Sequence, residues 1–208
     1  MHTTNQQTIK THLKLNFLTI VAHNKSIHDD ATHSKIMENY IFFCSHNPAK
    51  YTDNKDRAVF SQWYPSPFKG VSNPVHNTDS VLGEHTNLIV GNKFNCCEQW
   101  MMAMKALMFA TGNNRDANIA TFNEIMGSSN PAEIRKLGRN VIGFSQTVWD
   151  GWKFKIVVNC NYIKFSQDQH LKNILLNTNT DTIVEAAYYD PIWGIGYTEA
   201  DALANKQT

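Results

Sequence analysis

Cys96-Cys97-Glu98-Gln99-Trp100-Met101-Met102-Ala103-Met104-Lys105-Ala106-Leu107-Met108 is a run built almost entirely from helix formers, with one carboxylate and one ammonium group. Glu98 and Lys105 stand seven residues apart, and at 3.6 residues per turn they share one face of a helix. The remaining side chains are apolar, so the helix belongs to a core. Its two charges then face either a pocket at the core's edge, where desolvation and neighbours tune their pKa values, or solvent, as an ion pair on an amphipathic helix. The pattern alone leaves both open. The helix is expected to start near Asn95 and to end around Gly112, with Asn113 and Asn114 continuing the break.

The chain around this helix has 208 residues, 42% of them hydrophobic and 18% charged, the balance of a soluble globular protein with one domain. A net charge of +1 gives no global signal for nucleic acid, a membrane surface or acidic partners. The nearest thing to a basic cluster is Arg135, Lys136 and Arg139. Cys44, Cys96, Cys97 and Cys160 show no Cys-x-x-Cys spacing, which suits a reducing compartment and structural thiols. His23, His28 and His33 recur every five residues, a spacing that fits no zinc pattern, so they read as solvated. No metal or cofactor is expected. Phe17–Ala22 is too short to span a bilayer and precedes no convincing cleavage site, so the expected location is cytoplasmic, without a membrane partner.

Residues 1–39, rich in Thr, Asn, His and Lys, with Leu13–Ala22 as their main apolar stretch, read as an N-terminal extension to a domain over 40–208. Tyr40–Phe43 reads as a strand, Ser45–Arg57 as a loop, and Trp63–Phe68 as aromatics on a proline-stiffened backbone. A hairpin or inserted loop is expected over 70–91 and a helix over 116–126. A further helix is expected to be capped by Asn130, to open with Pro131 and to stop at Gly138. Trp149–Val158 reads as a helix that turns to strand at Ile156-Val157-Val158. A short helix over 168–176, a strand over Thr182–Ala186 and a turn at Asp190-Pro191 complete the reading. The class is α+β, a helix-rich single domain with a small β-sheet.

The second motif is Glu185-Ala186-Ala187-Tyr188-Tyr189-Asp190-Pro191-Ile192-Trp193-Gly194-Ile195-Gly196. Its glycines permit close backbone approach by a ligand, but Gly-x-Gly without a third glycine, a following helix or a βαβ unit is no dinucleotide fingerprint. Taken with Phe60–Phe68, Glu98–Met102 plus Lys105-Ala106, Leu137–Val141 plus Gly143-Phe144, and Asn161 plus Lys164-Phe165, it makes the chain resemble the NADAR, or YbiA-like, family from about Tyr40 to Asp201. Family members usually continue into a Trp, Gly, Asn-Leu-Leu-Gly and Leu-Met helix, and this chain stops at Thr208 before it.

The resemblance implies an N-glycosidase that hydrolyses a bond between ribose C1 and a nitrogen. The implied substrates are ADP-ribose on guanine in nucleic acid, the favoured class, or ribosylamino-pyrimidine phosphates of riboflavin biosynthesis. A non-catalytic ADP-ribose or nucleotide-binding module is a third reading. Such chemistry asks for one group to trap an electron-poor C1 and another to move protons. Glu98 and Lys105 fit these demands. Lys105 either attacks as a neutral amine to form a Schiff base, with Glu98 shuttling the proton, or stays charged and binds substrate while Glu98 activates water. Asp190 is the third catalytic candidate, as a sugar-hydroxyl acceptor or a turn former. Trp63, Arg139, Trp193 and Gly194 are the substrate-binding candidates, by stacking, phosphate binding and close backbone approach. Arg139 fits helix-dipole compensation equally well. Glu185, Asn161 and Lys164 are weaker.

Overall fold

Tyr40-Ile41-Phe42-Phe43 forms the strand that its aromatic and β-branched residues favour. It opens a computed structural model that describes residues 39–205. The N-terminal extension, with Leu13–Ala22 and the three spaced histidines, thus lies outside the described residues except for Asn39. Along the chain come β1 (Tyr40–Phe43), 3-10 turns at Pro48–Lys50 and Lys55–Phe60, β2 (Phe68–Lys69), α1 (Asp79–Leu82), a 3-10 turn at Gly83–Leu88 and β3 (Lys93–Phe94). Then follow α2 (Cys97–Met108), a 3-10 turn at Gly112–Asn114, α3 (Arg115–Gly127), α4 (Pro131–Arg139), α5 (Gln146–Gln167), α6 (Gln169–Asn177), β4 (Thr182–Glu185) and α7 (Glu199–Asn205). The described residues divide into two compact units, one formed by 39–64 with 170–205 and the other by 65–169.

In the first unit β1 and β4 pair in parallel, Tyr40 against Thr182 through Phe43 against Glu185. Phe42, Val184 and Ala186 form a core against which Tyr40, Ile195 and Ala202 pack. The buried Tyr51 hydroxyl accepts from the Cys44 and Ser45 amides and donates to the Ser45 carbonyl, fixing the chain as it leaves β1. Arg57 grips Glu199 through both terminal nitrogens, at 3.2 and 2.8 Å, and also bonds Asp53 at 3.0 Å. Its guanidinium lies 4.7 Å from the Tyr51 ring centroid, so the start of α7 is tied to the early chain by charge and stacking together.

The second unit is organised around α2. Every residue of that helix is buried except Lys105. A helix apolar on all sides needs neighbours on all sides, and α3, α4 and α5 pack against it. Trp100 meets Phe94 edge to face, with ring centroids 5.0 Å apart, and Phe68 stacks on Phe94 across the antiparallel pair of β2 and β3. Gln99, fully buried, accepts from the Asn95 amide at 2.7 Å and donates to the Ile125 and Ser128 carbonyls, which ties the start of α2 to the end of α3 and the residue just past it. Asn130 caps α4 through its side chain, with Pro131 at the first turn, as the sequence predicts.

One expectation is filled in and one changes. The stretch over 70–91 is an insertion between the paired β2 and β3, and it carries α1 and a 3-10 turn. Trp149–Val158 does not turn to strand: α5 runs as one helix of 22 residues through Ile156-Val157-Val158 to Gln167. Those three β-branched side chains are strand-like in isolation, but residues 156–165 are all buried, and burial outweighs their small cost in a helix. Among the described residues no helix is long and apolar enough to cross a membrane.

α4 can lie close to α2 because position 138 is glycine: a Cβ there would run into the Sδ, Cγ and Cβ of Met102. Gly138→Ala is therefore expected to cost about 1–3 kcal/mol, read as a lower urea midpoint with an unchanged slope.

Candidate functional site

Glu98 sits in the first turn of α2 and is only 4% exposed, where the helix dipole favours a carboxylate. Lys105 lies in the last turn, about 10.5 Å further along the axis. Its Nζ meets rings: it stands 4.1 Å from the Phe144 ring centroid and 5.7 Å from that of Trp149. Among the described residues no carboxylate forms a salt bridge with it. The surface ion pair is thus not the arrangement found. Burial pushes the Lys105 amine below the ordinary lysine pKa, the Arg139 guanidinium pushes it further, and Glu98 opposes both. Arg139 is exposed at the end of α4, in reach of Lys105 electrostatically because Gly138 lets α4 approach α2.

The other candidates lie in the first unit. Asp190 accepts at Oδ1 from the Ile192 and Trp193 amides, both at 3.0 Å, and its carbonyl accepts from the Gly194 amide. This is a side-chain-closed turn. Gly194 is buried, and a Cβ there would meet the Ala187 and Asp190 carbonyl oxygens at 2.8 Å. The glycine thus serves the packing of the turn. Trp193 is half-buried, as is Trp63, whose ring lies 5.8 Å from that of His46.

Lys164 is 1% exposed, and burial pushes its amine pKa down. It lies near three buried thiols, Cys96, Cys97 and Cys160, and burial pushes Cys96 up to about 11. Cys44 is exposed.

The NADAR domain matches residues 42–208. The chain belongs to the NADAR family. It is 37% identical over 169 residues to N-glycosidase R617 of Acanthamoeba polyphaga mimivirus, covering 80% of this chain and 83% of that protein. Over 77 residues it is 35% identical to the chloroplastic riboflavin biosynthesis protein PYRR of Zea mays, covering 35% of this chain and 12% of the maize protein. The solution structure of YbiA from E. coli matches with a TM-score of 0.51 at 21% identity, covering 77% of this chain and 75% of that one. The helix-rich α+β architecture with small sheets is the NADAR fold.

Sequence reasoning did not find the ring partners of Lys105. Phe144 and Trp149 follow it by some forty residues, and their meeting with it depends on the packing of α4 and α5 on α2. Nor did it single out Asn118, whose side chain bonds Phe109 and Ile142.

Because Arg139 lowers the Lys105 pKa and Glu98 raises it, Arg139→Ala is expected to move the amine's titration to higher pH and Glu98→Gln to lower pH. Carbon-13 NMR of reductively methylated protein, with Lys105→Arg to assign the resonance, reads both shifts. For Asp190, replacement by Ala loses two backbone bonds and is expected to cost about 1–2 kcal/mol. Asp190→Asn keeps Oδ1 and should melt close to the parent protein in calorimetry.

Proposed function

We propose that this NADAR protein is an N-glycosidase that cleaves a ribose C1–N bond through a Schiff base on Lys105. The observation that carries the reading is the Lys105 amine itself. It is the one side chain of α2 that is not buried, it lies against aromatic rings instead of a carboxylate, and its pKa is held down by burial and by Arg139. A nucleophilic lysine must be neutral for part of its time near neutral pH, and these are the forces that make it so. The name of the mimivirus relative supports the reaction class.

In the ring-opened substrate, C1 is doubly bonded to the base nitrogen. The Lys105 amine adds to C1, and Glu98 relays a proton to the departing nitrogen. The C1–N bond to the base breaks and leaves C1 joined to Nζ. Water then adds to this Schiff base, the C1–Nζ bond breaks as C1 becomes an aldehyde and the free amine returns, and closure of the ring by the sugar's own 4-hydroxyl gives C1 its new hydroxyl. The sum is one N-riboside plus one water giving one N–H base and one free sugar. Glu98 suits the proton role because it is buried on the same helix. Asp190 receives no step, since its Oδ1 already closes a turn.

The substrate we favour is ADP-ribosylated guanine in nucleic acid. The exposed Arg139 beside Lys105 offers a cationic edge to a diphosphate. A second reading, a ribosylamino-pyrimidine phosphate, draws on the partial likeness to maize PYRR.

The protein is to be mixed with each substrate in turn, with borohydride added to reduce any Schiff base, followed by peptide mass spectrometry. A sugar adduct on Lys105, absent from Lys105→Arg and depleted at least about tenfold in Glu98→Gln, is the expected result. Base release by Lys105→Arg at the parent rate would overturn the Schiff base, because guanidinium cannot serve as that nucleophile. The substrate that yields the adduct names the class.

A further inference from the structure

Phe144 lies in the connection between α4 and α5 and is 39% exposed, yet the backbone beside it is held more firmly than a simple link requires. Asn118 of α3, 0% exposed, donates through Nδ2 to the Phe109 carbonyl at 2.7 Å and to the Ile142 carbonyl at 2.9 Å. Its Oδ1 accepts from the Ile142 amide at 2.9 Å. One buried amide thus clamps both the end of α2 and the loop two residues before Phe144. Gly143 has φ of +71°, and a Cβ there would run into Asn114 Nδ2, so the residue preceding the ring is fixed in a conformation that suits glycine. On the far side, Ser145 caps α5 by accepting from the Val148 amide. The ring itself packs edge to face on Phe109, with centroids 5.4 Å apart, and lies over Lys105 Nζ.

A reactive lysine needs a partner to hold its long side chain in one place. A carboxylate would hold it, but it would also favour the ammonium form and suppress the nucleophile. An aromatic face attracts the cation more weakly and excludes water on the same side. It also loses that attraction once the amine is neutral, which leaves the neutral amine free to turn to substrate. We infer that Phe144 is the positioning residue of the Lys105 amine, and that the Asn118 clamp and Gly143 set the ring in place for that purpose. This rests on the reading of Lys105 as the nucleophile. The charged groups that act on the amine are Arg139, from α4, and Glu98, from its own helix.

The test uses Phe144→Leu, which keeps apolar bulk without a ring face, Phe144→Tyr, which keeps the ring, and Gly143→Ala, which displaces the ring by altering its exposed neighbour. Carbon-13 NMR of the methylated Lys105 amine reads ring placement without any substrate. An upfield ring-current shift is expected in the parent protein and in Phe144→Tyr, lost in Phe144→Leu and reduced in Gly143→Ala. The single-turnover rate of adduct formation is expected to fall about tenfold or more in Phe144→Leu and to return in Phe144→Tyr, with KM within about twofold. A parental rate in Phe144→Leu overturns the inference. So does an amine resonance that none of the three variants moves. If the parent protein itself forms no adduct, the Schiff-base reading falls, and with it the catalytic purpose assigned to Phe144. The resonance still decides whether the ring holds the amine.

Discussion

The complete enclosure of α2 is the constraint from which the second unit follows. A helix with all but one of its residues buried is pressed to partner the polar groups it carries, because an unpaired polar atom away from water is costly, although the Trp100 indole nitrogen finds no acceptor among the described residues. Gln99 meets that demand by linking the start of its own helix to carbonyls at the end of α3 and just past it. Asn118 does the same from the other direction, by reaching from α3 to the carbonyl that follows α2. The two amides join helices that apolar packing alone would leave free to slide.

Lys105 is the exception that this enclosure makes possible. Three helices and a loop converge on α2, and the place where their coverage thins is where an amine emerges. Its surroundings hold one guanidinium that opposes its charge and one carboxylate that favours it. The protonation state is therefore a balance set by helix packing. The approach of α4, permitted by Gly138, takes part in that balance by bringing Arg139 within range.

Much of this was legible in the sequence. The presence of α2, α3 and α4 followed from helix formers, an N-cap at Asn130 and glycines near the ends, though α2 stops at Met108, short of the expected break around Gly112, and Tyr40–Phe43 and Thr182–Glu185 announced themselves as strands. These are local signals. Ile156-Val157-Val158 misled because β-branching is also local, whereas the burial that keeps them helical comes from elsewhere in the unit. At the candidate site, the sequence placed Glu98 and Lys105 on one helix, α2, and Glu98 acts on the amine's charge. The aromatic partners of the amine were not legible there, since no periodicity links residue 105 to residues 144 and 149. The part Asp190 plays in its turn was one of two readings its Asp-Pro context allowed, and hydrogen bonds from two amides now account for one of its oxygens.

The first unit is assembled from chain segments far apart in sequence. Arg57 and Glu199 stand 142 residues from one another, and among the described residues β1 pairs with β4. The second unit draws on one unbroken stretch, 65–169. Synthesis proceeds from the N-terminus, so β1 leaves the ribosome long before the strand that pairs with it, while every helix around α2 is already present. Closing so distant a contact is slow because the loop entropy must be met before the contact forms. For that interval the nascent chain exposes the open edge of an aromatic strand, Tyr40–Phe43, the kind of surface on which strands of other chains add.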